Sequence, residues 1–255
     1  MRFITFPTQK LCCKNLYCYI CTQQMEQIKI KVNGLCQVGD ISRAAQLGAD
    51  SVGLQFAKGK PHRMSMLHRD AGILPDEADA DYSSLSSEGE ESAPSLVGMF
   101  SDEGAQLVVT AVYNYCLDAI QIDSDCGAVL LRNLLSTIVP DIRPRLGIIK
   151  SIAVSSPADF ALCKAYDSVA NLFIFRFNNA AFRSRSWADK ALAAAAYEGN
   201  VPFLVQCNVR DAQTVVAAFR GNGMFRGLDV YPDKGAFEVE EYMQKVKEMA
   251  QKVKE

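Results

Sequence analysis

MEQIKIKVNGLCQVGDISRAAQLGADSVGLQF, residues Met25–Phe56, reads as a strand, a helix and a second strand. Ile28–Val32 is a β-rich run. Ile41–Leu47 has helical apolar spacing and is closed by Gly48, a residue suited to a helix C-terminus. Ser51–Phe56 is β-rich again. A strand, a helix and a strand in this order imply parallel pairing. The first turn, Asn33-Gly34-Leu35-Cys36, lacks the G-x-G-x-x-G of a dinucleotide-binding doubly wound sheet.

The alternation continues to the end of the chain. Met64–Gly72 reads as a helix, Leu96–Phe100 as a strand, Ala105–Tyr115 as a helix, Ala119–Ile122 as a strand and Ala128–Val139 as a helix. Leu146–Ala153 is the fifth strand. Helix Pro157–Tyr166 follows it, with Ser156 as N-cap and proline at the first helical position. Strand Leu172–Phe177, helix Trp187–Glu198, strand Phe203–Gln206, helix Ala212–Arg220, strand Gly227–Val230 and helix Val239–Lys254 complete the series. Eight strands each followed by a helix, in about 230 residues, predict a single α/β domain of the (β/α)8 TIM-barrel class over 25–255.

Composition narrows the function classes. Hydrophobic residues make up 49% of the 255, enough for a sizeable core. The net charge of -2 supplies no basic field for nucleic acid. No apolar run reaches the roughly 18 residues that span a bilayer. The nine cysteines are an odd number, and five lie scattered singly, as suits reduced thiols in a cytoplasmic protein. The other four, Cys12, Cys13, Cys18 and Cys21, fall within residues 1–24. They lack the flanking pattern of a zinc site, so no metal is expected. Residues 1–24 read as a poorly structured extension; Arg2, Lys10 and Lys14 without an acid leave an organelle-targeting leader as the other reading.

Residues 76–94 break the alternation. They hold seven acids and five serines with no lysine or arginine. Such a run cannot bury apolar area and predicts a disordered, solvated insertion between the second helix and the third strand. That position lies on the barrel's N-terminal face, away from where chemistry is done.

Chemistry is expected where strands end. That rule selects Asn33, Arg63, Gln121, Asp123, Lys150, Arg176, Gln206, Cys207 and Asp229. His62 and His68 share no ligand spacing and read as surface residues, and Trp187 and the alanines 193–196 as helix packing.

Several of these stretches carry a family resemblance. Lys31-Val32-Asn33-Gly34-Leu35 with Asp40, the run Leu47–Phe56, Pro61-His62-Arg63-Met64-Ser65, Leu96–Phe100, Ala119–Ile122 and Gly227–Val230 together resemble phosphoribosylanthranilate isomerase. The resemblance covers roughly 26–255, is strong in the first hundred residues and thins after Asp123. It implies a barrel of tryptophan biosynthesis that performs an Amadori rearrangement of an aminoaldose phosphate without a cofactor. It implies substrate contacts from Lys31, Arg63, Gln121 and Asp229, with Arg63 toward the anthranilate carboxylate and Asp229 toward the sugar hydroxyls. Arg210 and Lys234 add positive charge to the same face.

The reaction needs a general acid and a general base within reach of the substrate. By the same resemblance the family's base is a cysteine, and Asn33 stands at that position. The family's acid is an aspartate ending the sixth strand, where Arg176 stands. An amide takes up no proton near neutral pH, and a guanidinium does not release one. Gln206-Cys207 replaces a Gly-Gly turn that cradles phosphate, and Tyr231-Pro232-Asp233 replaces a Ser-Ser-Gly turn; proline removes one N–H donor.

Three readings follow. The first is a barrel that has lost its proton shuttles and binds a small anionic or phosphorylated ligand or a partner. The second is a working isomerase with Cys36 or Asp123 as substitute groups. The third is a different reaction on a phosphorylated molecule. Arg176 is expected either to hold an anion or to pair with Asp123 or Asp229 across the mouth. Neither nucleic acid nor membrane is an expected partner, and a homodimer is compatible with the barrel.

Overall fold

The computed structural model describes residues 27–64, 94–139, 141–177, 179–232 and 238–254. The expected helix Met64–Gly72, the acidic stretch and the N-terminal extension lie almost wholly outside them. Eight parallel strands close into a barrel in sequential order: β1 Lys29–Asn33, β2 Ser51–Gln55, β3 Ser95–Phe100, β4 Ala119–Ile122, β5 Gly147–Ala153, β6 Leu172–Arg176, β7 Phe203–Asn208 and β8 Phe225–Tyr231. β8 pairs back onto β1, with Lys31 opposite Asp229. This is the (β/α)8 fold that the alternation predicts.

Helices α1 Val38–Gln46, α2 Ala105–Asn114, α3 Ala128–Ile138, α4 Ala180–Arg183, α5 Trp187–Ala194, α6 Ala212–Phe219 and α7 Val239–Lys254 surround the sheet. Pro157–Tyr166 is a 3-10 segment rather than the expected α-helix. Asp159 accepts from the backbone N–H groups of Ser155 and Ser156 at 2.6 and 2.8 Å and fixes its start. The short α4 has no counterpart in the sequence reading. α7 buries Tyr242, Met243, Val246, Met249, Ala250 and Val253, the stripe of an amphipathic helix. Its terminal Lys254 donates to the Gly48 carbonyl at 2.7 Å and pairs with Asp50 at 3.2 Å, so the last helix is tied to the entry of β2.

Strand side chains alternate between two cores. Val97, Ala119, Ile149, Leu172, Ile174 and Leu204 come only from strands and fill the barrel interior. The alternate strand residues join helix residues in the larger outer core. It includes an aromatic cluster, with Phe175 and Phe203 ring centroids 4.5 Å apart. Gly227 lets β8 approach β1, because a Cβ there would lie 1.9 Å from the Lys29 carbonyl oxygen. No helix among the described residues is long and apolar enough to cross a membrane.

Candidate functional site

On the side of β1 and β8 the interior is polar, and the residues there bond to one another. Lys31 Nζ donates to Asn33 Oδ1 at 2.5 Å and to Asp229 Oδ1 at 2.7 Å. Asn33 Nδ2 donates to Asp229 Oδ1 at 2.8 Å and to the Val230 carbonyl at 3.0 Å. All three side chains are almost fully buried. A buried ion pair of this kind is costly to break, since a lone partner keeps its charge without compensation. Gly53 makes room for it: a Cβ would lie 2.0 Å from Asn33 Oδ1 and 2.9 Å from Lys31 Nζ.

A second network crosses the mouth at β4–β6. Ser151 Oγ donates to Asp123 Oδ1 at 2.5 Å, and Gln121 Nε2 donates to the same oxygen at 2.9 Å. Arg176 lies 3.5 Å from the other oxygen, and its Nη2 donates to the Asp123 carbonyl at 3.3 Å. Of the two carboxylates expected as pairing partners for Arg176, Asp123 is the one within reach, while Asp229 is taken by Lys31. Among the described residues of this mouth, Gln121 Oε1, Arg176 Nε and Asp229 Oδ2 are buried without a partner.

Other candidates lie elsewhere. Arg63 is at the rim, where its Nε donates to the Phe56 carbonyl at 3.0 Å and its guanidinium is exposed. Gln206 faces inward opposite Asp229 in β8. Lys150 and Cys207, one residue out of phase, face outward. Lys150 Nζ donates to the Ser151 carbonyl at 2.6 Å and lies over the Tyr166 ring at 5.2 Å. Burial pushes the Lys150 amine down from its ordinary value and the Cys207 thiol well up. Cys36 is partly buried and packed against the outer core. Arg210 lines a surface cavity of about 200 Å³ against α7, with Gln213, Lys245 and Lys252. Lys234 and His68 fall outside the described residues.

The sequence reading singled out Tyr231 only as part of an altered turn. Its hydroxyl donates to Met99 Sδ at 3.6 Å, and the same sulfur accepts from Lys31 at 3.4 Å. Burial, then the charges of Asp229 and Asp123, push its phenol well above the ordinary value; Arg176 and Gln121 act the other way. The two networks therefore meet at Tyr231. The signal was the alternation Gly227, Asp229, Tyr231, which places the three on one strand face.

Solved structures of phosphoribosylanthranilate isomerases share this architecture. The isomerase from Thermotoga maritima superposes with a TM-score of 0.64 at 17% identity, covering 89% of this chain and 98% of that one. The Thermus thermophilus isomerase gives 0.62 at 15%, covering 88% and 98%. A third, phosphoribosylanthranilate isomerase in complex with a reduced carboxyphenylamino-deoxyribulose phosphate, gives 0.62 at 16%, covering 88% and 98%.

The fold is that of the phosphoribosylanthranilate isomerases.

No protein-family model matches the sequence, and no curated protein matches it. The structural likeness reaches nearly the whole length of each isomerase, including β5–β8, where the sequence resemblance is thin.

Proposed function

We propose that this chain is a divergent relative of the phosphoribosylanthranilate isomerases of tryptophan biosynthesis. It binds a small anionic, phosphorylated ligand at the barrel mouth and has lost, or nearly lost, the isomerase chemistry. The observation that carries this reading is the Lys31–Asn33–Asp229 network. Asn33, at the position of the family's base, spends its amide on Lys31, Asp229 and Val230. It works as a cross-link between β1 and β8 and has no proton to move. Arg176, at the position of the acid, is likewise a fixed cation beside Asp123. Loss of one shuttle costs about 10²–10⁴-fold in rate, and here both positions have changed.

What remains suits an anion. Arg63 presents a guanidinium at the rim, and Arg176 offers an unpartnered Nε–H inside it. Cytoplasmic placement is part of the proposal, supported by five described cysteines that form no disulfide. So is a homodimer, since one matching isomerase, from Thermotoga maritima, is described as dimeric.

The second reading, an active isomerase, rests on Asp123, a carboxylate at the mouth that Ser151, Gln121 and Arg176 hold in place. Cys36 has less support, being packed on the outer core.

The test is calorimetric titration with the reduced deoxyribulose phosphate analogue seen in the matching complex. Binding that weakens as salt rises is expected; no binding at millimolar analogue contradicts the proposal. If the analogue binds, Asn33→Cys with Arg176→Asp is expected to raise turnover of N-(5′-phosphoribosyl)anthranilate at least about 10²-fold.

A further inference from the structure

Tyr231 is the last residue of β8 and faces inward, with its hydroxyl where the two polar networks meet. Its backbone is pinned on both sides. Asn208 in β7 pairs with it. Pro232 packs against Gly34, where a Cβ would come within 3.3 Å of two ring carbons and where φ is +89°. The main chain is therefore held, and any displacement of the phenol is a rotation about the side-chain bonds.

The walls facing the phenol are incompletely satisfied. Among the described residues Gln121 Oε1, Arg176 Nε and Asp229 Oδ2 are cut off from solvent and lack partners; Gln121 makes a side-chain hydrogen bond with the Tyr231 hydroxyl, and the charges of Asp229 and Arg176 act on it. The amide orientation of Gln121 is fixed, because its Nε2 donates to Asp123 and to Ser151; a flip would set its oxygen against a carboxylate. A buried polar group without a partner is destabilising, because it keeps its desolvation cost with no hydrogen bond in return. Three in one wall make the present arrangement expensive to keep and favour a state in which something else meets them.

We propose that Tyr231 is an internal stopper of the barrel mouth and its access- and specificity-determining residue: the phenol occupies the space of a hydroxylated ring, and a ligand binds as it swings aside. The complementary ligand carries hydroxyls for Gln121 Oε1 and Asp229 Oδ2 and an anionic oxygen for Arg176 Nε. That is the chemistry of a sugar phosphate. The ligand class rests on the anion reading above; the stopper is a separate claim.

The experiment titrates ribose 5-phosphate into the wild-type chain, Tyr231→Ala and Tyr231→Phe. A stopper lowers apparent affinity by the fraction of open molecules, so an open share of about one in ten predicts roughly tenfold tighter binding to Tyr231→Ala. Tyr231→Phe, which keeps the ring, is expected to stay near wild type. Phenol, the missing side chain, is expected to raise the melting temperature of Tyr231→Ala and to compete with the sugar phosphate there but not in the wild type. Equal affinity in wild type and Tyr231→Ala, or a Phe variant as open as the Ala variant, overturns the stopper and leaves anion binding standing. Binding to none of the three overturns both.

Discussion

Lys150 shows how much one position of strand phase matters. The strand-end rule selects it as a site residue, yet its amine lies in the outer core over Tyr166, almost fully buried. Side chains alternate in a strand, so a shift of one residue exchanges mouth for core. Cys207 is displaced in the same way. The signal was present in the alternation of β5, where Ile149 and Ser151 take the inward places; what was missing was the phase of the strand. Burial depresses the Lys150 amine, and the sign of its effect on stability follows. Below its folded pKa the charge is buried at full cost; as pH rises toward the unfolded value of about 10.4, the folded form sheds its proton and the cost fades. Lys150→Met removes the charge. The stability of the wild type relative to this variant is expected to rise with pH in the alkaline range, up to the unfolded value of about 10.4. Denaturant melts across that range check it, and a difference that does not vary with pH would refute it.

Between elements, a repeated device organises the N-terminal face. Asp50, Asp118 and Asn171 each immediately precede an even-numbered strand. Their side chains accept from the backbone N–H of Ile30, Leu96 and Ile148 in the preceding odd strand, at 2.9, 2.9 and 3.0 Å. Each returns its own N–H to the carbonyl of the same residue. Asp118 also holds Arg143 at 2.8 Å. Asp118→Ala removes the acceptor of a strand N–H and of Arg143 Nη2 and is expected to cost about 2–4 kcal/mol. Asp118→Asn, which keeps an acceptor oxygen, is expected to cost less than half as much. Equal losses in urea melts would show that this face is not fastened in this way. Element existence was largely legible, because apolar periodicity survives in every strand. The 3-10 character of Pro157–Tyr166 was not, since its capping residues and proline suit either helix type, and the short α4 offers too few residues for a period to register.

Across the whole molecule, the barrel could be read from the order of elements, and its polar heart could not. Lys31 and Asp229 are 198 positions apart and meet only because β8 closes onto β1. The residue types at the mouth were visible; their fixed roles, Asn33 as a cross-link and Arg176 as a partner of Asp123, required the register of the closed sheet. On the function proposed above, this mouth retains attraction for an anion and lacks groups placed to move protons. Turnover of N-(5′-phosphoribosyl)anthranilate by the purified wild-type chain, followed beside the same protein with Asp123→Asn, tests that most directly. A rate at background, unchanged in the variant, is predicted. Turnover well above background that disappears with Asp123 would contradict it.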